Sequence, residues 1–282
     1  MKDIYYVNSA GVRLDLLATP YLLQTGDLFD YEWDYESVDS SPTSARITSF
    51  TRSVKEKELT LSILNYSRES YYAAIDRFFE TVEYDVINQS PGKLYVGDQY
   101  LKCYIFTSQK ADWEYDIELI DNTVKLVTEY AFWIREQSFS FAPSSKSEEE
   151  SEYLEFPFDV PFDLMGDEVG TGNIVLDHYT PCNFLLTVFG PCTNPRITIG
   201  NNLIEVKTSL DTGDYLQVDS RVGTVIRVRS NGVRVDEFDN RTKNPESIFN
   251  PINQGYNLVS WDGSFGFDVT AYLERSEPAW SV

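Results

Sequence analysis

Residues 67–82 read Ser-Arg-Glu-Ser-Tyr-Tyr-Ala-Ala-Ile-Asp-Arg-Phe-Phe-Glu-Thr-Val, and they decide what kind of fold surrounds them. Tyr71, Tyr72, Ile75, Phe78, Phe79 and Val82 recur at spacings of three and four, one apolar stripe at helical period. Ser67 is placed to cap the first turn, and Glu69 stands where the helix dipole favours an anion. No other stretch supports a helix. This one is expected to lie across the open face of a sheet, and the rest of the chain reads as strands.

On its N-terminal side, Ile4–Val7 and Val12–Leu17 flank an Asn8-Ser9-Ala10-Gly11 turn, an opening hairpin. Residues 30–35 alternate strictly, placing Tyr31, Trp33 and Tyr35 on one face and Asp30, Glu32, Asp34 and Glu36 on the other. Same-face carboxylates on an extended strand stand about 6.5–7 Å apart. One strand alone therefore cannot wrap a calcium ion, and the acidic face reads as turned to solvent or to a channel. Glu58–Leu64 alternates in the same way. On the C-terminal side, the turn Ser90-Pro91-Gly92 leads into strands near Lys93–Val96, Tyr100–Thr107, Trp113–Leu119 and Val124–Ile134.

Polar, patternless residues 142–155 then read as a linker between a first domain, 1–141, and a second, 156–282. The second opens on an extended aromatic-Pro strap, Phe156-Pro157-Phe158-Asp159-Val160-Pro161-Phe162. Short strands follow between Gly/Asn/Asp turns such as Gly200-Asn201-Asn202 and Asn231-Gly232, the rhythm of a sandwich or jelly roll. The fold class is therefore mainly β, with one α-helix in the first domain.

Composition narrows the function. Hydrophobic residues make up 42 % of the 282, enough for cores, and aromatics reach 15 %, which favours pleated surfaces. The formal net charge is -22, shared by both halves, with 13 basic against 23 acidic residues in 1–141 and 10 against 22 in 142–282. The basic footprint of a nucleic-acid binder is missing, and such a surface repels DNA. No run approaches the length of a membrane span, and the start lacks the apolar core of a signal peptide, so a cytoplasmic origin without membrane insertion is expected. Cys103, Cys182 and Cys192 read as buried thiols, with a Cys182–Cys192 pair left open.

Chemistry is hard to place. His178 is the one histidine, without a second ligand at zinc spacing or a nucleophile signature, and reads as a surface or interfacial residue. There is no Gly-x-Ser-x-Gly elbow, no P-loop and no Gly-x-Gly-x-x-Gly, so no enzyme, metal or cofactor is expected. Tyr256 and Trp261 are either rings that stack on a sugar or partner, which would make the second domain a module for host-wall polysaccharide, or ordinary core residues.

Several stretches taken in order resemble the distal tail proteins (Dit) of siphophages, also known as siphovirus tail components. They are Ser90-Pro91-Gly92-Lys93-Leu94-Tyr95-Val96-Gly97-Asp98-Gln99-Tyr100, Phe156-Pro157-Phe158-Asp159, Gly190-Pro191-Cys192-Thr193-Asn194-Pro195-Arg196-Ile197, Gly255-Tyr256-Asn257-Leu258-Val259-Ser260-Trp261 and Glu274-Arg275-Ser276-Glu277-Pro278-Ala279-Trp280. The resemblance implies an N-terminal β-sandwich with one helix, whose protruding hairpin belts onto the next subunit, and a galectin-like or carbohydrate-module-like jelly roll after it. It implies a homo-hexameric ring at the virion tail tip, made in the bacterial cytoplasm. The ring would join the tail tube protein to a tail-associated spike or lysin, with receptor-binding and tape-measure proteins as further partners. Phage DNA would pass through it without specific binding. The family brings no catalytic residues. Here the loop after Tyr35 reads as short, so a reduced belt is expected. Ring-contact candidates are Tyr31, Trp33 and Tyr35 on the alternating strand, with Tyr72 and Phe79 on the helix.

Overall fold

A computed structural model describes residues 2–64, 67–110, 119–144, 170–243 and 247–280. The chain divides into two compact units, Met1–Arg135 with Glu274–Val282, and Glu136–Leu273. It leaves the first unit within the strand Trp133–Phe141 and re-enters it within Phe267–Arg275. The sequence places the break after residue 141; the observed division falls a few residues earlier. It also returns the last nine residues to the first unit, because a strand, not a turn, carries the chain across. The linker beyond Ser144 and the Phe156–Phe162 strap lie outside the described residues.

In the first unit the antiparallel order runs Arg13–Asp15, Ile4–Val7, Gly92–Val96, Gln99–Lys110, Leu119–Thr128, Lys55–Leu64, Tyr21–Gly26, Leu17–Ala18. The helix spans Arg68–Ile87, one turn and more beyond the apolar stripe. Ser67 caps it as expected, its hydroxyl accepting from Ser70 N at 3.3 Å. Tyr71, Ala74, Phe78 and Val82 are buried with Leu61, Ile63, Leu94 and Leu126 of the strands in one core. Tyr21 reaches across it, its hydroxyl donating to the Ala74 carbonyl at 2.8 Å. The last turn is fastened by a buried acid: Asp85 accepts from the Tyr6 hydroxyl at 2.5 Å, from Ser9 N at 2.7 Å and from the Ser9 hydroxyl at 2.6 Å. Those donors offset the cost of taking a carboxyl out of water.

The run expected as one strand, Val124–Ile134, is two, Leu119–Thr128 and Trp133–Phe141, separated by a turn. The strand expected at Trp113–Leu119 lies almost wholly outside the described residues. In the second unit Phe267–Arg275, Asn183–Phe189, Tyr215–Asp219, Thr224–Val228 and Arg234–Asp236 pair in that order. A second sheet orders Gly170–Leu176, Gly255–Trp261, Arg196–Ile199 and Asn202–Glu205. Inward residues of both, Phe184, Leu186, Val218 and Phe267 with Ile174, Ile197, Val259 and Trp261, share one core. The architecture is mainly β and antiparallel, with one α-helix among the described residues. All three thiols are free, which removes the Cys182–Cys192 pair.

Candidate assembly site

The alternating strand expected at Asp30–Glu36 is strand only from Asp34 onward. Residues 30–33 are non-strand, and pairing begins at Asp34, in a hairpin of Asp34–Ser41 with Ser44–Thr51 closed by Pro42 and Thr43. The segment after Tyr35, expected as a short loop, is instead a two-stranded hairpin. Proline at the first corner presets the turn. Serines line it: Ser40 and Ser41 lie 2.9 and 2.8 Å from the Ser44 hydroxyl. These two strands pair with each other and with no other described strand.

Tyr35 pairs with Phe50, Ser37 with Ile47 and Asp39 with Ala45. Cross-strand partners share a face, and the register shift between Glu36 and Ser37 brings Ile47, three residues from Phe50, onto the face of Tyr35 and Phe50, while Asp34, Glu36, Val38 and Arg46 take the other. Tyr35 is 64 % exposed, Phe50 60 % and Ile47 50 %. A two-stranded ribbon is marginal in water, and this one leaves its larger apolar residues open.

Its base is firmly built. Asp34 accepts from the Ser53 hydroxyl at 2.8 Å and from Lys55 Nζ at 3.1 Å, and these contacts, the Ser53 hydrogen bond foremost, hold its carboxyl below the usual range. Lys57 Nζ donates to the carbonyls of Asp27 and Asp30, at 2.9 and 2.5 Å, fixing the approach to the hairpin, while burial lowers its own pKa. Trp33 sets its ring edge-on to Phe132 at 5.9 Å.

Of the residues expected at a ring contact, Tyr31 and Trp33 sit in the approach and Tyr35 on the hairpin's apolar face. Tyr72 and Phe79 belong to the helix and are half-buried. Tyr72 stands 5.5 Å from Tyr71, and Phe79 carries the Lys110 ammonium 4.2 Å from its ring. Sequence reasoning missed Val38, Ile47, Phe50 and Val54, all exposed. The signal for them was Ser41-Pro42-Thr43-Ser44 between two Ser/Thr-rich runs, a hairpin turn.

In the second unit Trp261 is a core residue. It is 7 % exposed, its indole N–H donates to the Phe265 carbonyl at 3.0 Å, and its ring meets Phe267 at 5.1 Å. Only Tyr256, 65 % exposed, remains of the pair read as a sugar platform. Among the described residues, no group of three His, Cys, Asp or Glu could hold a metal, and no helix is long and apolar enough to cross a membrane.

No protein-family model and no curated protein matches the sequence. Solved structures match it over nearly its whole length. The SPP1 Dit protein, described as a paradigm of the hub adsorption apparatus of phages infecting Gram-positive bacteria, aligns with a TM-score of 0.59 at 9 % identity, over 96 % of this chain and 99 % of its own. A chain of the phage P2 baseplate, activated with calcium, aligns at 0.57 and 10 %, over 98 % and 99 %. One from the same baseplate activated with strontium aligns at 0.56 and 10 %, over 96 % and 98 %. By fold, then, the chain is Dit-like, sharing the architecture of phage hub and baseplate proteins.

Proposed function

We propose that this chain is a structural distal tail protein, not an enzyme. In this reading it is a ring-forming hub at the virion tail tip, assembled in the host cytoplasm. It would join the tail tube to the spike or lysin and to the host-adsorption proteins, and let phage DNA through. The observation that carries the reading is the hairpin Asp34–Thr51, paired with no other described strand and apolar on one face, a shape that a second copy of the chain would cover. The finer architecture we assign is an N-terminal β-sandwich with one helix and a galectin-like jelly roll after it. The net charge of -22 suits a conduit to which DNA does not adhere.

Light scattering on the purified protein tests the proposal. Six chains of 32.4 kDa give about 194 kDa, the mass of a closed six-membered ring. A ring-sized mass supports it. A strict monomer across protein and salt concentrations refutes a self-assembling hub.

A further inference from the structure

The hairpin joins the rest of the first unit through residues that enter at Trp33 and leave at Arg52. The Arg52 guanidinium lies 5.1 Å from the Trp33 ring and 4.7 Å from the Phe132 ring, with those rings themselves in edge contact. Its Nη1 donates to the Ser276 hydroxyl at 3.3 Å. Its Nε is buried without a hydrogen-bond partner among the described residues, and burial lowers the group's pKa. Withdrawing a guanidinium N–H from water without an acceptor is unfavourable; two ring faces are what offsets it here. Three segments distant in sequence therefore converge on one cation. They are the approach to the hairpin, the turn that carries Phe132, and the C-terminal return that carries Ser276.

A ribbon that pairs with no other described strand has no described ladder to fix its direction, and freedom at its base would have to be frozen on assembly. We infer that Arg52 is a positioning residue: set against the Trp33 and Phe132 rings and tied to Ser276, it sets the direction in which the hairpin projects from the rest of the first unit. It thereby presents the Tyr35/Phe50 face to the neighbouring copy. This rests on the ring reading above, and it gives the C-terminal segment Glu274–Val282 a part in assembly.

The test is millisecond hydrogen exchange on the full chain, with light scattering alongside, for wild type, Arg52→Gln, Arg52→Lys and Ser276→Ala. In Arg52→Gln, amides of 34–51 should exchange about tenfold faster, which is about 1.4 kcal/mol, while those of the helix 68–87 stay unchanged. The ring should need a higher protein concentration. Arg52→Lys, which keeps a cation on the rings, should restore most of the protection. If Arg52→Gln does not fold, Ser276→Ala should give a smaller rise confined to the same residues. Unchanged exchange in 34–51, or an equal rise throughout the first unit, overturns the inference. A looser hairpin with an unaltered ring mass upholds the positioning role and sinks the hairpin as the ring contact. Loss of the ring with an unaltered hairpin makes Arg52 a contact residue and overturns its positioning role.

Discussion

Replacing Phe50 by alanine separates the cost of folding from the cost of assembly. Phe50 is 60 % exposed opposite Tyr35, itself 64 % exposed. A phenylalanine carries about 200 Å², so about 120 Å² of it is open. Covered by a second chain at about 25 cal/mol/Å², that area is worth about 3 kcal/mol at most. Alanine keeps a fraction, leaving a loss of about 2 kcal/mol per contact, or roughly thirtyfold in the association constant. The isolated chain should hardly notice, because exposed positions usually change stability by less than about 0.5 kcal/mol. The assay is the protein concentration at half-assembly by light scattering, beside a denaturant midpoint for the monomer. Phe50→Asp, which would drive a carboxylate into the covered face, should abolish the ring. A half-assembly concentration unmoved by either substitution refutes the assignment of this face.

Other outcomes follow from the same geometry. Trp261→Ala should cost about 3–5 kcal/mol of stability, because the ring is buried against Phe141 and Phe267; Tyr256→Ala should change the urea midpoint little, and equal effects would place Trp261 at the surface. Gly92→Ala should prevent normal folding, since its Cβ would overlap the Tyr6 hydroxyl and the Asp85 carboxylate; a native circular-dichroism melt would contradict that packing. Asp34 has a depressed folded pKa, so its contribution is complete above the ordinary value near 4 and fades as pH falls through the lower, folded one. Protection of the hairpin-base amides, taken relative to their intrinsic exchange at each pH between 7 and 3, should therefore fall only in the acid part, and a loss of protection already near pH 6 would assign the effect to another group.

The helix was legible because Tyr71, Phe78 and Val82 obey one period and Ser67 announces its start. The strands of both cores were legible for the same reason, being half-buried with a period of two. The hairpin was not. Its register shifts between Glu36 and Ser37 and again between Asp39 and Ser41, so its apolar residues lose step with their neighbours. Neither face is buried among the described residues, so burial, the source of pattern in a sequence, leaves no mark on it. The alternation at Asp30–Tyr35 misled in the opposite sense. Lys57 ties the carbonyls of Asp27 and Asp30, and Arg52 takes Trp33, which spends those residues on fixing an approach and leaves them no partner strand. Nothing in the sequence marks Asp85 as buried; only the fold brings Tyr6 and Ser9 around it.

Charge explains why the contact should fall on this ribbon. Chains that each carry -22 repel one another, and most of the surface would bring carboxylates together. Residues 40–51 carry a single charge, that of Arg46. That strand can therefore approach an acidic copy without adding a like charge, and it brings Phe50 and Ile47 with it. Attraction is then apolar and short-ranged, while the opposition is electrostatic and extends over the Debye length, about 8 Å at 0.15 M salt and about 3 Å at 1 M. Assembly driven this way should strengthen as salt rises, whereas a ring held by ion pairs should weaken. A half-assembly concentration that climbs with salt would show that charges, and not the Tyr35/Phe50 face, hold the copies together.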